Sequence, residues 1–471
     1  MSSLAIVGWS THLPRFQLTG RALTALMGGG GKKARAVASH DEDPVTLAAA
    51  AARSALRTVD GFLPRSLVLA TSNPPYLVKS SAGTVHAALS LPSACRAVDA
   101  GGATRSGVTA LLAALEGSRP TLVAGADTRT ERVGAPGELD GGDAAVAFLV
   151  ADPAEHPAAA DLIGTASVTV ELLDRWRPAS ERFGGQADER ATEAVYLQAA
   201  ETALAELFGD AERAVDVLVV STEHKRVRGS LARRSRVAAG RVLTGVDGVG
   251  CAGAADAGLL LAAALETASA GKRILLVSLA DGVDALLFQV AADGSRNTAP
   301  TVRAQAAQAR QDLAYAVYLG WRGLIERDVG RRPPLAAPAP MPAARNKRWK
   351  FGLVGARCGK CDTVQLPPER VCRACGATDA MDEYEVAEQT GTVRQVTTDR
   401  LAWSPQPPLI QAIVAFDDGG RMRCEITDAF DGEVKEGDRV AMSFRVLRTV
   451  DGIHNYFWKA VPLPGPGTEK A

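Results

Sequence analysis

An order of elements that occurs twice in the first 300 residues constrains the fold of this chain more than any other feature. In each copy, a short β-branched strand is followed by a loop of small residues, an alanine-rich helix and a second strand. The helices end alike, as SGVTALLAALE at 106–116 and DAGLLLAAALE at 256–266. The strands before them, LVLATSN from Leu67 and VLVVSTEH from Val217, are also similar. Alanine-rich helices are common, but a shared order of several elements predicts a duplicated α/β unit with two-fold pseudosymmetry.

The alternation of strands and helices predicts a layered α/β domain. Helices are predicted at Pro44–Val59, Gly107–Glu116 and Glu193–Phe208, and apolar residues at helical spacing predict a closing helix over Gln305–Asp328. The predicted buried strands are Ser3–Trp9, Leu67–Thr71, Thr121–Ala126, Ala144–Val150, Val215–Val220 and Arg273–Leu279.

A proline- and alanine-rich stretch, RRPPLAAPAPMPAAR, divides the chain into two parts. This composition predicts an extended, semi-rigid linker at residues 332–345. Before it we place the two halves of the α/β domain, at 1–165 and 166–331. After it we place a zinc ribbon at 346–380 and a barrel at 381–471. Five β-branched segments separated by Gly/Asp turns make an OB-fold barrel the expected form of the last region.

Composition and cysteine usage exclude several classes of protein. Three of the seven cysteines, Cys95, Cys251 and Cys424, lie far apart, which is no secreted disulfide framework and favours a reducing, cytoplasmic location. No apolar run approaches the roughly 20 residues of a membrane helix, and the first residues do not resemble a signal peptide. Lysine plus arginine equals aspartate plus glutamate, at 53 each, which argues against a dedicated nucleic-acid-binding protein.

The other four cysteines carry the strongest motif of the chain. Cys358 and Cys361 form one C-x2-C pair, and Cys372 and Cys375 form a second pair ten residues later. Four thiolates on two such turns close a tetrahedral shell around Zn²⁺ and leave no open position, so the expected role is structural. The alternatives are two unrelated pairs or disulfides, and the doubled pair at short spacing favours zinc.

Long segments of the chain carry a family resemblance. Residues 1–330 contain AIVGWSTHLPRFQL, DEDPVTLAAAAARSAL and NPPYLVKSSAGTVHAAL, and resemble the 3-hydroxy-3-methylglutaryl-CoA synthase group of the thiolase superfamily. The C-terminal part, with RCGKCDTVQLPPERVCRACG and EGDRVAMSF, is similar to the zinc-ribbon/OB-fold proteins that accompany thiolase-type enzymes. The resemblance implies the five-layer αβαβα thiolase fold and acyl-CoA thioesters as substrates or ligands. It also implies a homodimer, paired through the strand Thr121–Ala126, and a thiolase-type partner.

The chain departs from that group where the chemistry would lie. Catalysis there depends on a cysteine at a helix N-terminus, in the pattern A-C-K-A-G, because the helix dipole favours the thiolate. The matching stretch is Ala103–Gly107, with Thr104 in place of the cysteine. Cys95 falls nine residues upstream and is not the nucleophile. The group's histidine matches Ser221, and His224 follows three residues later.

Other loops of the expected pocket have changed as well. The loop of the group's glutamate base reads SNPPY at 72–76, and its asparagine is replaced by Val249. Thr104, Ser221 and His224 are therefore our candidate pocket residues. A threonine hydroxyl is a poor nucleophile without a base, which His224 could supply if its loop bends inward. In the polar run EHKR, a solvated loop residue is the favoured interpretation of His224, and Thr104 could serve only as a helix cap.

These departures leave three classes of function. The first is a non-standard acyl-CoA-handling enzyme, an acyltransferase or aldol-type lyase. It would form or cleave a C–C or C–heteroatom bond without the usual Cys/His/Glu set. The second is a catalytically silent acyl-CoA-binding or scaffolding partner of an active thiolase-type subunit. The third is a structural zinc module used for protein recognition. We prefer the first, because the loops of the expected pocket have changed together and several gained polar groups.

Overall fold

The computed structural model describes residues 4–28, 31–135, 137–292, 299–328 and 338–464. These residues form two compact units. The first comprises the described residues up to Ala38, together with Asp43–Val85 and Pro92–Tyr318. The second comprises Ser39–Glu42, His86–Leu91 and the described residues from Leu319 onward.

The first unit is organised around a mixed ten-stranded sheet with the order β5-β4-β6-β7-β1-β8-β14-β13-β11-β12. Two small two-stranded sheets, β2-β3 and β9-β10, accompany it. The strands are β1 Ala5–His12, β2 Phe16–Thr19, β3 Ala34–Val37, β4 Ser66–Thr71, β5 Arg96–Gly101, β6 Thr121–Asp127, β7 Ala144–Ala151, β8 Ala160–Thr169, β9 Arg175–Trp176, β10 Gly185–Gln186, β11 Ala214–Ser221, β12 Ala238–Leu243, β13 Arg273–Leu279 and β14 Gly282–Val290.

The two halves of this sheet repeat the same pairing. In the first half, β4 lies parallel to β5 and β6, and β7 is antiparallel to β6 and β1. In the second half, β11 lies parallel to β12 and β13, and β14 is antiparallel to β13 and β8. The halves meet where Ile6 of β1 pairs with Ala160 of β8. The duplication predicted from the sequence is confirmed as a two-fold pseudosymmetric sheet.

Helices cover both faces of the sheet and fill the space between its halves. α4 and α7 contact each other; α4 packs on β4–β7, and α7 packs on β11 and β13. α2 covers β1, β6 and β7, and α5 covers β8 and β14. This arrangement is the five-layer αβαβα thiolase fold. The helices of the chain are α1 Gly20–Met27, α2 Pro44–Leu56, α3 Ala82–Ala88, α4 Ser106–Leu115, α5 Glu189–Phe208, α6 Lys225–Arg234, α7 Asp256–Leu265, α8 Val302–Gln308, α9 Tyr315–Trp321, α10 Pro340–Arg345 and α11 Lys347–Gly352.

Local sequence explains where these helices begin. α2 starts at a capping box in which the Asp43 carboxylate accepts from the Thr46 amide and the Thr46 hydroxyl accepts from the Asp43 amide. Pro44 occupies the first turn, where no amide hydrogen is needed. α4 and α7 consist of alanine, leucine and small residues, and α7 is almost wholly buried. Helices of this composition suit a middle layer that touches protein on all sides.

The predicted closing helix over Gln305–Asp328 is wrong. The segment forms two short helices, α8 and α9, with an irregular stretch between them. Within that stretch the Arg310 amide donates to the Arg15 carbonyl, and the Arg310 carbonyl accepts from the Gln17 amide, each at 2.7 Å. Pairing with the strand edge at Phe16 therefore replaces the helical hydrogen bonds at this point.

The second unit contains a three-stranded sheet and a five-stranded barrel. The barrel sheet has the order β20-β19-β18-β21-β22, and a bridge between Ile426 and Ala460 joins its ends. All five strands predicted for this region are present, as an OB fold. The strands of the unit are β15 Val354–Cys358, β16 Val364–Gln365, β17 Met381–Glu385, β18 Thr390–Asp399, β19 Leu409–Phe416, β20 Arg421–Glu425, β21 Arg439–Val450 and β22 Ile453–Pro462.

The predicted linker lies only partly within the described residues. Residues 332–337 are outside them, and residues 340–345 form the short helix α10 rather than an extended segment. Among the helices that the structure describes, none is both long enough and apolar enough to cross a membrane.

Candidate functional site

A cleft in the first unit lies at the carboxyl ends of its parallel strands, where α/β folds commonly bind ligands. Loops that follow β4, β5, β6, β11 and β13 line it, together with the segment between β8 and α5. Its volume is about 220 Å³. The lining residues are Ser72, Asn73, Gly102, Ala103, Thr104, Thr128, Arg129, Thr130, Glu131, Asp174, Arg175, Trp176, Arg177, Arg182, Gly184, Gly185, Glu223, His224, Leu279, Ala280 and Asp281.

Thr104 lines this cleft just before α4, in the place of the family's cysteine. The helix cap is Arg105, without a side-chain cap hydrogen bond, so Thr104 does not cap the helix. Arg105 instead reaches across to Asp284 on β14, with Nε–Oδ2 and Nη2–Oδ1 distances of 2.8 and 2.9 Å. This bidentate pair fixes the position of the helix start beside the cleft.

His224 also lines the cleft, and its side chain is only 2% exposed. The favoured interpretation of His224 as a solvated loop residue is therefore wrong. Its Nε2 lies 2.7 Å from Oδ2 of Asp174, and its Nδ1 lies 3.4 Å from Nε2 of Gln186. β11 ends three residues earlier and α6 begins at the next residue, so the short connection turns the ring inward.

Asp174 organises the groups around His224. Its Oδ2 accepts a second hydrogen bond from the Tyr196 hydroxyl at 2.6 Å, and that hydroxyl accepts from the Asp281 amide at 3.2 Å. Burial alone would raise the pKa of Asp174, but the hydrogen bonds from His224 and Tyr196 outweigh it and lower the pKa. An ionised carboxylate only accepts, so it selects the tautomer of His224 that carries its proton on Nε2.

Ser221, the third candidate, does not line the cleft. It lies buried at the end of β11, and its hydroxyl donates to Oδ2 of Asp256 at 2.7 Å. Asp256 also accepts from the Ala252 amide at 3.0 Å, beside the start of α7. The structure thus brings Thr104 and His224 to one cleft, whereas Ser221 is buried and outside the lining of that cleft.

Charged side chains make the cleft strongly polar. Glu223 contacts Arg129 at 2.9 Å and Arg175 at 2.5 Å, and Arg175 also lies 3.5 Å from Glu131. Burial alone would lower the pKa of Arg129, but the carboxylates of Glu223 and Asp127 raise it. The Arg129 guanidinium therefore stays charged, and the two carboxylates partly neutralise that charge.

Neither scattered cysteine of the first unit lines the cleft. Cys95 lies immediately before β5, as predicted, and burial raises the pKa of its thiol. Cys251 is buried, and burial, followed by the charges of Asp256 and Glu223, raises the pKa of its thiol well above the ordinary value. Both are therefore poor sources of a thiolate at neutral pH.

Several residues of this site escaped the sequence analysis. Asp174 and Tyr196 lie outside the stretches that match the family's catalytic loops, and their contact with His224 depends on the fold. Arg129 and Glu223 carried a usable signal, since each closely follows a predicted buried strand. Polar residues just beyond the carboxyl ends of parallel strands are general candidates for a ligand site.

The second unit holds the four-cysteine site. Sγ atoms of Cys358, Cys361, Cys372 and Cys375 all lie within 4.8 Å of one another, with 3.8 Å between Cys358 and Cys375 and 3.5 Å between Cys361 and Cys372. A tetrahedral Zn²⁺ with bonds of about 2.3 Å needs sulfur atoms roughly 3.8 Å apart. The residues present therefore fit a closed structural zinc site. Gly376 adopts φ 73°, a backbone conformation that favours glycine.

Comparisons with known proteins agree with this division of the chain. Residues 352–381 match the family model "ChsH2, rubredoxin-like zinc ribbon domain", and residues 384–445 match "ChsH2, C-terminal OB-fold domain". The chain is also 27% identical over 124 residues to a DUF35 domain-containing scaffold protein of Methanocaldococcus jannaschii, covering 25% of this chain and 87% of that protein.

The α/β region has homologues among the hydroxymethylglutaryl-CoA synthases. The chain is 28% identical over 340 residues to the synthase of Pyrococcus furiosus, which covers 68% of this chain and 95% of the synthase. The solved structure of MvaS in complex with 3-hydroxy-3-methylglutaryl coenzyme A is similar with a TM-score of 0.56 and 20% identity, covering 72% of this chain and 95% of that one. The predicted resemblance and fold are confirmed.

Proposed function

We propose that the α/β unit is an acyl-CoA-handling enzyme that makes or breaks a carbon–carbon bond by acid–base chemistry, without an acyl-cysteine. The observation that carries this proposal is the hydrogen-bonded group of Tyr196, Asp174 and His224 at the cleft that Thr104 also lines. Acyl-CoA as the ligand rests on the similarity to the hydroxymethylglutaryl-CoA synthases.

His224 is the best-placed proton acceptor of the cleft. Asp174 takes the hydrogen bond of Nε2, at 2.7 Å, which leaves Nδ1 as the basic atom of the ring. Nδ1 lies 3.4 Å from the Gln186 amide, a long contact that a substrate hydroxyl can replace. Paired with a carboxylate, the imidazole can hold the proton it takes, as a general base requires.

A retro-aldol cleavage of a β-hydroxyacyl thioester needs only such groups. The base removes the hydroxyl proton, the oxygen electron pair forms the new carbonyl, and the Cα–Cβ electrons move into a thioester enolate. A proton then adds to Cα, so the products are a carbonyl compound and a shorter acyl-CoA. The reverse sequence is an aldol condensation. The cleft volume of about 220 Å³ suits only the reacting end of such a thioester.

A second candidate function is a catalytically silent acyl-CoA-binding or scaffolding partner of an active thiolase-type subunit. Two observations favour it. Two of the arginines that line the cleft, Arg129 and Arg175, already pair with Glu223 and Glu131, which makes these two less available to a substrate anion. A quarter of the chain is similar to a protein described as a scaffold protein.

The test is mass spectrometry of the full-length protein with a panel of acyl-CoA and β-hydroxyacyl-CoA thioesters. Turnover by the wild type, with a loss of about 10²- to 10⁴-fold in His224→Gln, is the expected result. His156→Gln is the matched control, because His156 lies against Phe62 and outside the cleft. Full activity of His224→Gln would contradict the proposal. Binding of a thioester without turnover of any of them would favour the silent partner.

We propose Zn²⁺ as the metal of the four-cysteine site. Cys358, Cys361, Cys372 and Cys375 would hold it, and a closed shell of four thiolates supplies fold stability rather than chemistry.

A further inference from the structure

A tetrapeptide from the N-terminal part of the chain is built into the second unit. Ser39–Glu42, with the sequence SHDE, belongs to that unit, although the residues before and after it belong to the first. This segment, the acidic turn, is closed by a hydrogen bond of 3.1 Å from the Glu42 amide to the Ser39 carbonyl. The side chains of Asp41 and Glu42 are 1% and 2% exposed, so two adjacent carboxylates are buried.

Two cations of the OB barrel face these carboxylates. Arg445 on β21 lies 3.1 Å from Asp41 and 3.2 Å from Glu42. Lys459 on β22 lies 2.9 Å from Asp41. Both cationic side chains are 4% exposed. Charges buried to this extent interact far more strongly than surface pairs, and removal of one partner is correspondingly costly.

The barrel also contacts the main chain of the turn and the hydroxyl group of its serine. The Val446 amide on β21 donates to the Asp41 carbonyl at 2.9 Å. The Ser39 hydroxyl donates to the carboxylate of Asp428. His40 lies against the Trp321 ring, 5.8 Å between centroids, and burial lowers its pKa to about 4, so its ring is neutral at pH 7. Every residue of the turn therefore has its own contact.

Arg445 and Lys459 each have a carboxylate partner within the barrel as well as in the turn. Asp428 lies 2.7 Å from Arg445, and Glu425 lies 3.0 Å from Lys459, so each cation has a carboxylate partner of its own. The carboxylates of the turn are additional to these two pairs. Arg445 and Lys459 can therefore stay paired, and the barrel can stay folded, when the turn is absent.

We propose that the OB barrel is a recognition module for an acidic peptide, and that the acidic turn is its built-in ligand. Arg445 and Lys459 determine its specificity for two consecutive carboxylates, and the Val446 amide binds the main chain between them. The ligand class is a tight turn of four residues. Its first residue carries a small hydroxyl side chain, and its third and fourth residues are acidic. Because all of these contacts are made to four consecutive residues, a separate peptide of that sequence fits the same site.

The first test is hydrogen exchange on the full-length protein. In Arg445→Met and in Lys459→Met, the amides of 38–43 and of 444–448 should exchange at least tenfold faster than in the wild type. Arg439→Met is the matched control, because Arg439 pairs with Asp417 on the exposed surface of the same barrel. Unchanged exchange in both variants would overturn the proposal. Should either variant lose protection throughout β18 and β19, Asp41→Asn/Glu42→Gln gives the same test without altering the barrel.

The second test uses a synthetic peptide, ASHDED, added to the full-length Asp41→Asn/Glu42→Gln protein. At concentrations on the order of millimolar, the peptide should restore slow exchange at 444–448. A control peptide, ASHNQD, should not restore it, because it lacks the acidic pair. Equal effects of the two peptides, or no protection by either, would overturn recognition of the carboxylates and leave the acidic turn a structural part of the unit.

Discussion

At the scale of single residues, Asp174 links several groups of the candidate site by hydrogen bonds. Its carboxylate joins His224 to Tyr196, and through the Tyr196 hydroxyl it reaches the amide of Asp281 on the far side of the cleft. Because the carboxylate only accepts hydrogen bonds, it selects the tautomer of His224 that carries its proton on Nε2. Nδ1, the base of the proposed reaction, is then left without a proton. A residue that looks like one acid among many in the sequence therefore sets the tautomer of another side chain.

The depressed pKa of Asp174 predicts a specific dependence of stability on pH. A carboxylate whose pKa is lower in the folded state stabilises the fold above its ordinary pKa of about 3.9, and this stabilisation is lost as the pH falls through the folded-state pKa. Asp174→Asn should therefore reduce the free energy of unfolding by about 1–3 kcal/mol at pH 7, and by progressively less in acid. Urea unfolding at pH 7, 5 and 3 measures the difference.

Asp60→Asn provides the control for this measurement, since Asp60 is an exposed residue outside the network. A difference between the wild type and Asp174→Asn that stays constant across all three pH values would show that the ionised carboxylate is not the stabilising form.

The two buried thiols of the first unit predict that any turnover is independent of Cys95 and Cys251. Cys95 and Cys251 both lie outside the cleft lining, and burial raises the pKa of each thiol. The Cys95→Ala/Cys251→Ala double variant should keep most of the wild-type activity, with at most about 1–3 kcal/mol lost in stability. Turnover assays and peptide mapping after incubation with substrate measure both points. An acyl adduct on Cys251 would restore a covalent mechanism.

At the scale of elements, we expect the zinc ribbon to be the part whose folding depends on a ligand. Its strands β15–β17 are short and give it little apolar core of its own, so a metal held by the four cysteines is expected to supply much of its stability. The OB barrel, by contrast, closes on itself through the bridge between Ile426 and Ala460 and buries its own side chains.

Loss of one zinc ligand should therefore unfold the ribbon locally. We expect the wild type to bind one Zn²⁺ per chain, and Cys372→Ser to lose the metal together with protection of the amides at 352–381, because an incomplete shell binds zinc far more weakly. The strands β13 and β14 should stay protected. Metal analysis and hydrogen exchange measure these outcomes, and Cys424→Ala, a change at a buried barrel cysteine outside the cluster, should retain the metal.

A zinc content well below one equivalent in the wild type would contradict this prediction. Folding that is insensitive to a chelator would contradict it as well.

At the scale of the whole molecule, the structure changes the predicted route to a homodimer. Thr121–Ala126 cannot pair with a second copy, because β6 already lies between β4 and β7. The free edges of the ten-stranded sheet are β5 and β12. We propose that β5 forms the dimer contact. The Asp99 side chain on β5 accepts a hydrogen bond from the Ala82 amide, which holds the segment around Ala82 beside this edge. Just before Ala82, the apolar side chains of Leu77 and Val78 are 78% and 95% exposed.

A lysine on the correct edge should therefore disrupt the dimer. Val98→Lys on β5 should convert a dimer to a monomer at micromolar concentration, since like charges would meet across the strand pair. Val242→Lys on β12 is the matched control, because the two valines are similarly exposed, at 39% and 44%. Light scattering measures both variants. A monomeric wild type, or dissociation only in Val242→Lys, would contradict the assignment.

The amino-acid sequence by itself determined the parts of this protein that depend on local pattern. Buried β-branched runs located β4, β6, β7, β11 and β13, the repeated order of elements revealed the duplicated α/β unit, and cysteine spacing located the zinc ribbon. These features follow from residue type and short-range periodicity, which a single sequence displays directly.

The tertiary structure alone decided which distant residues meet. His224 lies 50 positions from Asp174, and only the return of the segment after β8 to the end of β11 brings them to 2.7 Å. The same holds for Asp41 and Arg445, separated by 404 positions. The break between α8 and α9 likewise depends on pairing with Phe16, which outweighs the helical pattern of the segment itself. Side-chain polarity shows that a residue needs a partner when buried, but only the packing of the chain decides which partner it finds.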